Sequence, residues 1–131
     1  MIRVANAIDA NAGNWKNEVL RSSALTVVYF WHDRCQWCAR LNPIFDQATE
    51  EYAGKIKFVK LNVLENPANQ ELASEQGVMG TPTLMFFCQG RALGQTVSFL
   101  PKEELDGVLQ GMLERYKRCL AQSSDISNYV A

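Results

Sequence analysis

The sequence predicts an α/β fold in which a central mixed β-sheet is flanked by four helices, and three observations support this. Segments with a strand pattern alternate with segments of helical period along the 131 residues. The last two strand-like segments follow one another through a short turn, which makes them an antiparallel hairpin beside parallel βαβ units. The hydrophobic share of 47% against 21% charged supplies enough apolar side chain for one core.

In chain order, RVANAI (residues 3–8) is read as a first strand and NWKNEVLRS (14–22) as a short helix. ALTVVYFW (24–31) is a strand whose β-branched and aromatic residues suit burial on both faces. From Cys35, the positions Cys38, Leu41, Phe45, Ala48 and Tyr52 recur at three- and four-residue steps, the stripe of a helix packed on a core, with Gly54 ending it. KIKFVKLNVL (55–64) alternates as a strand. Asn66-Pro67 then presents a cap and a first helical proline for a helix over ANQELASEQ (68–76). GTPTLMFFCQGRALGQTVSF (80–99) reads as two strands joined at Gln89-Gly90. After Pro101, the positions Leu105, Val108, Leu109, Met112, Tyr116 and Leu120 mark a long amphipathic helix, followed by a polar tail over 121–131 that is expected to be flexible.

Thirteen basic and fourteen acidic residues leave a formal charge of −1 with no basic stripe, so nucleic acid is not an expected partner. The longest apolar run, Ala24 to Trp31, is too short to cross a bilayer, so no membrane partner is expected either. The first residues lack the apolar core of a signal peptide, which makes a cytoplasmic protein the expectation. The four cysteines, at 35, 38, 88 and 119, are too few and too unevenly spaced for a disulfide-dense secreted scaffold. Only Cys35 and Cys38 have the spacing of a pair. Cys88, in LMFFC, reads as a small buried hydrophobe, and Cys119 as a packing or surface residue.

A Cys-x-x-Cys leading out of a strand into a helix places two sulfurs on one side of the first turn, where they can close a disulfide with little backbone movement. The unpaired N–H groups and the dipole at the helix start favour a thiolate on the first cysteine, so the pKa of Cys35 should fall below the free value of about 8.5. Cys35 is therefore the expected nucleophile. Cys38, one turn further in and on the apolar stripe, is the expected resolving residue. His32 is read as a solvated polar residue rather than a catalytic one. The competing reading is a metal site drawing on His32, Cys35, Cys38 and Cys88, against which stands the preference of structural zinc for paired ligand sets. A purely structural bridge would close so small a loop that it would remove little entropy. Trp31 and Trp37, on either side of the cysteines, are candidates for shaping the sulfur environment, with Trp37 also a hydrophobic contact for protein substrates. Proline in Gly80-Thr81-Pro82-Thr83 cannot donate to a sheet ladder and marks a turn at the head of a strand, of the kind that sometimes holds a cis bond.

These residues together resemble the thioredoxin superfamily. VVYFW leads into CQWC, Pro43 lies inside the helix, and LNVLENP and GVMGTPTLMFFCQGR follow in the family's order, from about residue 4 to about residue 118. The resemblance implies the thioredoxin fold over a domain of residues 1–120, a cis Pro82 beside the cysteines, and thiol–disulfide exchange on protein disulfides. It implies an electron donor or reductase as second partner, a monomer, and no cofactor beyond the redox-active disulfide Cys35–Cys38. By the same resemblance the backbone of Thr81 pairs with an extended substrate segment.

The chain also departs from the family's pattern. Its motif is Arg34-Cys35-Gln36-Trp37-Cys38 rather than Trp-Cys-Gly-Pro-Cys. Tyr29 occupies the place of a buried aspartate that assists proton transfer at the second cysteine, which leaves Lys60 without its usual acid. Ser98 stands where many members have glycine. A neutral phenol with an ordinary pKa of about 10 cannot serve as a carboxylate base at neutral pH. These departures motivate a second expectation, a redox-regulated protein-binding module with little turnover.

Overall fold

Strand β2, Leu25–Trp31, runs through the middle of a five-stranded sheet, and six of its seven residues are buried. It pairs in parallel with β3, Ile56–Asn62, and antiparallel with β4, Thr83–Cys88. In the computed structural model, which describes residues 7–130 and their side chains as far as Gln122, the sheet has the order β1-β3-β2-β4-β5. Strands β1, Ile8–Ala10, and β5, Arg91–Val97, form the two edges.

The helices are a one-turn π-helical segment at Lys16–Leu20, then α1, Gln36–Glu51, α2, Pro67–Glu75, and α3, Lys102–Val130. With the π-helical turn counted, four helices flank a mixed sheet, as the pattern predicted. They divide over the two faces because alternate residues of β2 point to opposite sides. Leu25, Val27 and Tyr29 pack with Leu41 and Phe45 of α1 and Leu105 and Leu109 of α3. Val28 and Phe30 pack on the other face with Trp15, Val19 and Ala73.

Two boundaries differ from the sequence reading. The first strand lies at Ile8–Ala10 rather than at 3–8, because register with Val59, Lys60 and Leu61 of β3, not local propensity, selects the paired residues. Residues 3–6 of the expected strand lie outside the described residues. Helix α3 continues beyond Leu120 to Val130, since the polar stretch after Leu120 contains neither proline nor glycine to stop it. The β4–β5 hairpin turns at Gln89 and Gly90, as the sequence reading has it, with φ of 50° and 82°, the pair of positive angles that a two-residue hairpin loop needs. At Gly90 a Cβ would lie 2.8 Å from the Leu20 carbonyl oxygen, so contact with the π-helical turn requires glycine there as well.

The largest correction concerns the two outlying cysteines. Cys88, at the end of β4, and Cys119, on α3, form a disulfide with Cα atoms 6.7 Å apart. Their separation of 31 residues carries no motif, so only the docking of α3 on the sheet brings them together. Closing a loop of this length removes about 3–4 kcal/mol of unfolded-state entropy in the chain-entropy model. Cys119→Ser should accordingly lower the unfolding free energy by about 2–4 kcal/mol. Denaturant titration of oxidised protein tests this, and an unchanged midpoint would show that the bridge does not constrain the unfolded chain.

Candidate active site

The strand end of β2 places Trp31, and the loop His32–Arg34 carries the chain to Cys35, which caps α1 from an extended backbone conformation. The Cys38 backbone N–H donates to Cys35 Sγ at 3.1 Å, so one of the unpaired donors of the first turn is aimed at this sulfur. Cys35 and Cys38 form a disulfide with Cα atoms 5.1 Å apart. Cys35 is half-buried, whereas Cys38 is wholly buried in the core shared with Leu41 and Phe45. A thiolate on Cys35 would meet both the N–H donor and the positive end of α1, which is the chemistry of an entering nucleophile.

His32 Nδ1 accepts from the Arg34 backbone N–H at 3.2 Å, so this imidazole shapes the loop. Among the described residues, no three His, Cys, Asp or Glu side chains converge as a metal site would require.

The Thr81–Pro82 peptide bond is cis. Phe30 of β2 pairs with Thr83 of β4, so Pro82 is level with Trp31 at the strand end from which the Cys35 loop springs. The turn is held by Thr83 Oγ1 donating to the Gly80 carbonyl at 2.7 Å and by the Ser98 N–H donating to the Pro82 carbonyl at 2.8 Å. None of the described turn and loop backbone bonds involves Thr81. Ser98 holds its place with φ of 85°, a left-handed conformation that glycine adopts without strain.

Sequence reasoning found Trp37, and the structure leaves it 51% exposed, stacked obliquely on Phe99 at 5.7 Å between ring centres and covered by the Arg40 guanidinium at 5.0 Å. It missed Met79, 99% exposed immediately before the Gly80–Thr83 turn, and Val97, 58% exposed at the end of β5. Met79 belongs to two clefts, one shared with His32, Leu64 and Thr81 and the other with Thr83 and Val97. An exposed methionine beside the Gly-Thr-Pro turn was the available signal.

Tyr29 is buried beneath α1. Its hydroxyl donates to Asn42 Oδ1 at 2.7 Å, with the Cys38 carbonyl a second acceptor at 3.1 Å. Burial, with a smaller contribution from the charge of Asp46, pushes the phenol well above its ordinary range, so it stays protonated and takes no proton from Cys38. Asn42, four residues after Cys38 and so on the same helix face, is the polar partner the sequence reading overlooked. Lys60, directly opposite Tyr29 on β3, places its ammonium 4.4 Å from the Trp31 ring centre and 5.6 Å from that of Tyr29. Aromatic faces thus stand where an acid would have faced the lysine.

Tyr29→Phe should leave disulfide-reduction turnover unchanged and cost about 1 kcal/mol, the net value of one hydrogen bond. Because the folded phenol resists ionisation and the unfolded one ionises near pH 10, the contribution of Tyr29 is intact below about pH 10 and declines above it. Tyr29→Phe should therefore flatten the alkaline limb of stability against pH, and a variant with the wild-type alkaline slope would contradict the buried neutral phenol. Separately, Ser98→Gly should raise stability by about 1 kcal/mol by relieving the left-handed backbone, read from the denaturation midpoint.

The thioredoxin family profile matches residues 6–111. "Thioredoxin 1" of Nostoc sp. is 36% identical over 104 residues, which cover 79% of this chain and 94% of that protein. "Thioredoxin" of Synechocystis sp. is 37% identical over 100 residues, covering 76% and 91%. "Thioredoxin M4, chloroplastic" of Arabidopsis thaliana is 31% identical over 112 residues, covering 86% of this chain and 55% of that one. The cysteine pair at the start of α1, the sheet that presents it and these matches agree: the chain belongs to the thioredoxin family and is a thiol–disulfide oxidoreductase.

Proposed function

We propose that the Cys35–Cys38 pair carries the exchange, with Cys35 as the entering sulfur and Cys38 as the resolving one. The observation that carries this reading is the asymmetry of the two sulfurs. Cys35 is half-buried at the helix cap and accepts an N–H, while Cys38 is fully buried one turn behind it. In the reductive direction the Cys35 thiolate attacks a substrate disulfide, forming a mixed disulfide and releasing one substrate thiolate. Cys38 then attacks Cys35 Sγ, closing the internal disulfide and releasing the second. Two electrons pass from the dithiol to the substrate. With a neutral phenol at position 29, the Cys38 proton leaves to the substrate thiolate freed in the first step, a base that the reaction itself creates.

Substrate recognition falls to the surface around the sulfurs. The Thr81 backbone pairs with an extended substrate segment, the cis Pro82 sets the wall beside the cysteines, and Trp37, Met79 and Val97 supply apolar contact. Trp31, Tyr29 and Lys60 act as support, holding the strand end and the underside of α1. The protein works as a monomer on protein disulfides, with a reductase or other electron donor restoring the dithiol, and its catalytic unit is residues 1–120. A donor-fed reductant operates where thiols are kept reduced, which favours the cytoplasm.

A binding module with little turnover is the second reading, motivated by the absent carboxylate and the exposed apolar rim. Insulin reduction with a reductant pool separates the two. Cys35→Ser should abolish turnover, and Cys38→Ser should trap a covalent mixed disulfide visible by intact mass. Undiminished turnover in Cys35→Ser would falsify the mechanism, and wild-type protein that fails to accelerate reduction would favour the binding module.

A further inference from the structure

The exchange described above makes no use of Cys88, Cys119 or the surface over them. We propose that Cys88–Cys119 is a second redox-active pair, which exchanges with the disulfide of a small anionic thiol of the glutathione class. It lies far from the first pair. Cys88 is five residues along β4 from Thr83, about 17 Å by the strand rise, at the opposite end of the sheet from Cys35.

Three features support this. First, both sulfurs are buried, but only that of Cys119 borders a cleft. Cys88 is completely buried, whereas Cys119, 6% exposed, lines a surface cleft of about 450 Å³, within the range of small-molecule sites. An incoming sulfur therefore reaches Cys119 alone. Second, Arg91 Nη2 donates to Cys119 Sγ at 3.4 Å, and a guanidinium at that distance favours the thiolate, the form that attacks and leaves in exchange. Third, the cleft is lined by Arg91, Arg115 and Arg118, and among its described lining residues there is no carboxylate. Planar guanidinium groups match carboxylates, and each half of oxidised glutathione carries two. A disulfide in a protein kept among reduced thiols is more often redox-sensing or catalytic than structural.

The step balances. The Cys119 thiolate attacks one sulfur of the small disulfide RSSR, giving a Cys119–SR mixed disulfide and RS⁻. Cys88 attacks Cys119 Sγ, closing Cys88–Cys119 and releasing the second RS⁻. The dithiol is oxidised by two electrons, RSSR is reduced to two RSH, and the two cysteine protons end on them. Excess RSH runs the reaction backwards.

The test uses the full chain with Cys35→Ser and Cys38→Ser, so that only the second pair reacts and its failure leaves the function proposed for the first pair untouched. Reduced protein is mixed with oxidised glutathione, quenched with an alkylating agent and followed by intact mass. Closure should proceed within minutes, and adding Cys88→Ser should trap one glutathione on Cys119. Glutathione disulfide should react about tenfold faster than cystamine, a cationic disulfide, as charge steering at a basic cleft implies. Arg115→Gln with Arg118→Gln should remove that preference while leaving the rate with neutral hydroxyethyl disulfide unchanged. Peptide mapping of alkylated Cys88 and Cys119 in unsubstituted protein reads the same reaction without relying on any variant to fold. Reaction with cystamine as fast as with glutathione disulfide, or a preference surviving both arginine changes, overturns the anionic partner. A pair inert for hours to all three reagents in folded protein overturns the redox role.

Discussion

Everything at the active site depends on one constraint, the enclosure of β2. This strand is hydrogen-bonded on both edges, by β3 and β4, and covered on both faces by helices. A strand so enclosed cannot slip, because a shift of one residue would exchange the two apolar sets and drive every side chain to the wrong face. Its fixed end therefore sets the position of Trp31, of the Cys35 loop and, through the Phe30–Thr83 pair, of the Thr81–Pro82 turn. Two segments almost fifty residues apart in sequence meet because both are anchored to the same strand.

The same enclosure explains what replaces a buried carboxylate. Position 29 points into the core beneath α1, where an ionised side chain without a partner would carry a large desolvation cost. Tyr29 meets that environment as a neutral group whose ring packs on Phe45 and whose hydroxyl finds Asn42 and the Cys38 carbonyl. The lysine across the β2–β3 ladder then needs no acid, since it lies over aromatic faces. The substitution involves at least three residues acting together, Tyr29, Asn42 and Lys60. The consequence for chemistry is specific: the hydroxyl below Cys38 is a hydrogen-bond donor to backbone and amide that stays protonated.

The two cysteine pairs show how one architecture treats sulfur at opposite ends of the sheet. In each, one sulfur is sealed in the core and the other lies nearer the surface beside a positive group, the start of α1 for Cys35 and Arg91 for Cys119. They differ in what closes them. The first is local, made by one helical turn, whereas the second ties α3 to the sheet across 31 residues. Changing the redox state of the second pair therefore alters the constraint on the whole chain, and changing that of the first alters little beyond the turn itself.

Much of this was legible before any coordinates. The strand and helix periods gave the element order, since burial on a sheet or helix face imposes a repeat that any core-packed segment must carry. Cys35 and Cys38 were legible because their chemistry depends on a spacing within one turn, and Asn66-Pro67 because a helix cap is local. The remaining features depend on contacts between segments distant in sequence. The register of β1, the Asn42 partner of Tyr29, the place of Lys60, the exposure of Met79 and the Cys88–Cys119 bridge each follow from which surfaces the folded sheet brings together. The sequence by itself determined the fold class and the redox pair, because both are written in short-range patterns. Only the tertiary structure decided the surroundings of that pair and the existence of a second, because side-chain neighbours across a sheet leave no fixed interval in the chain.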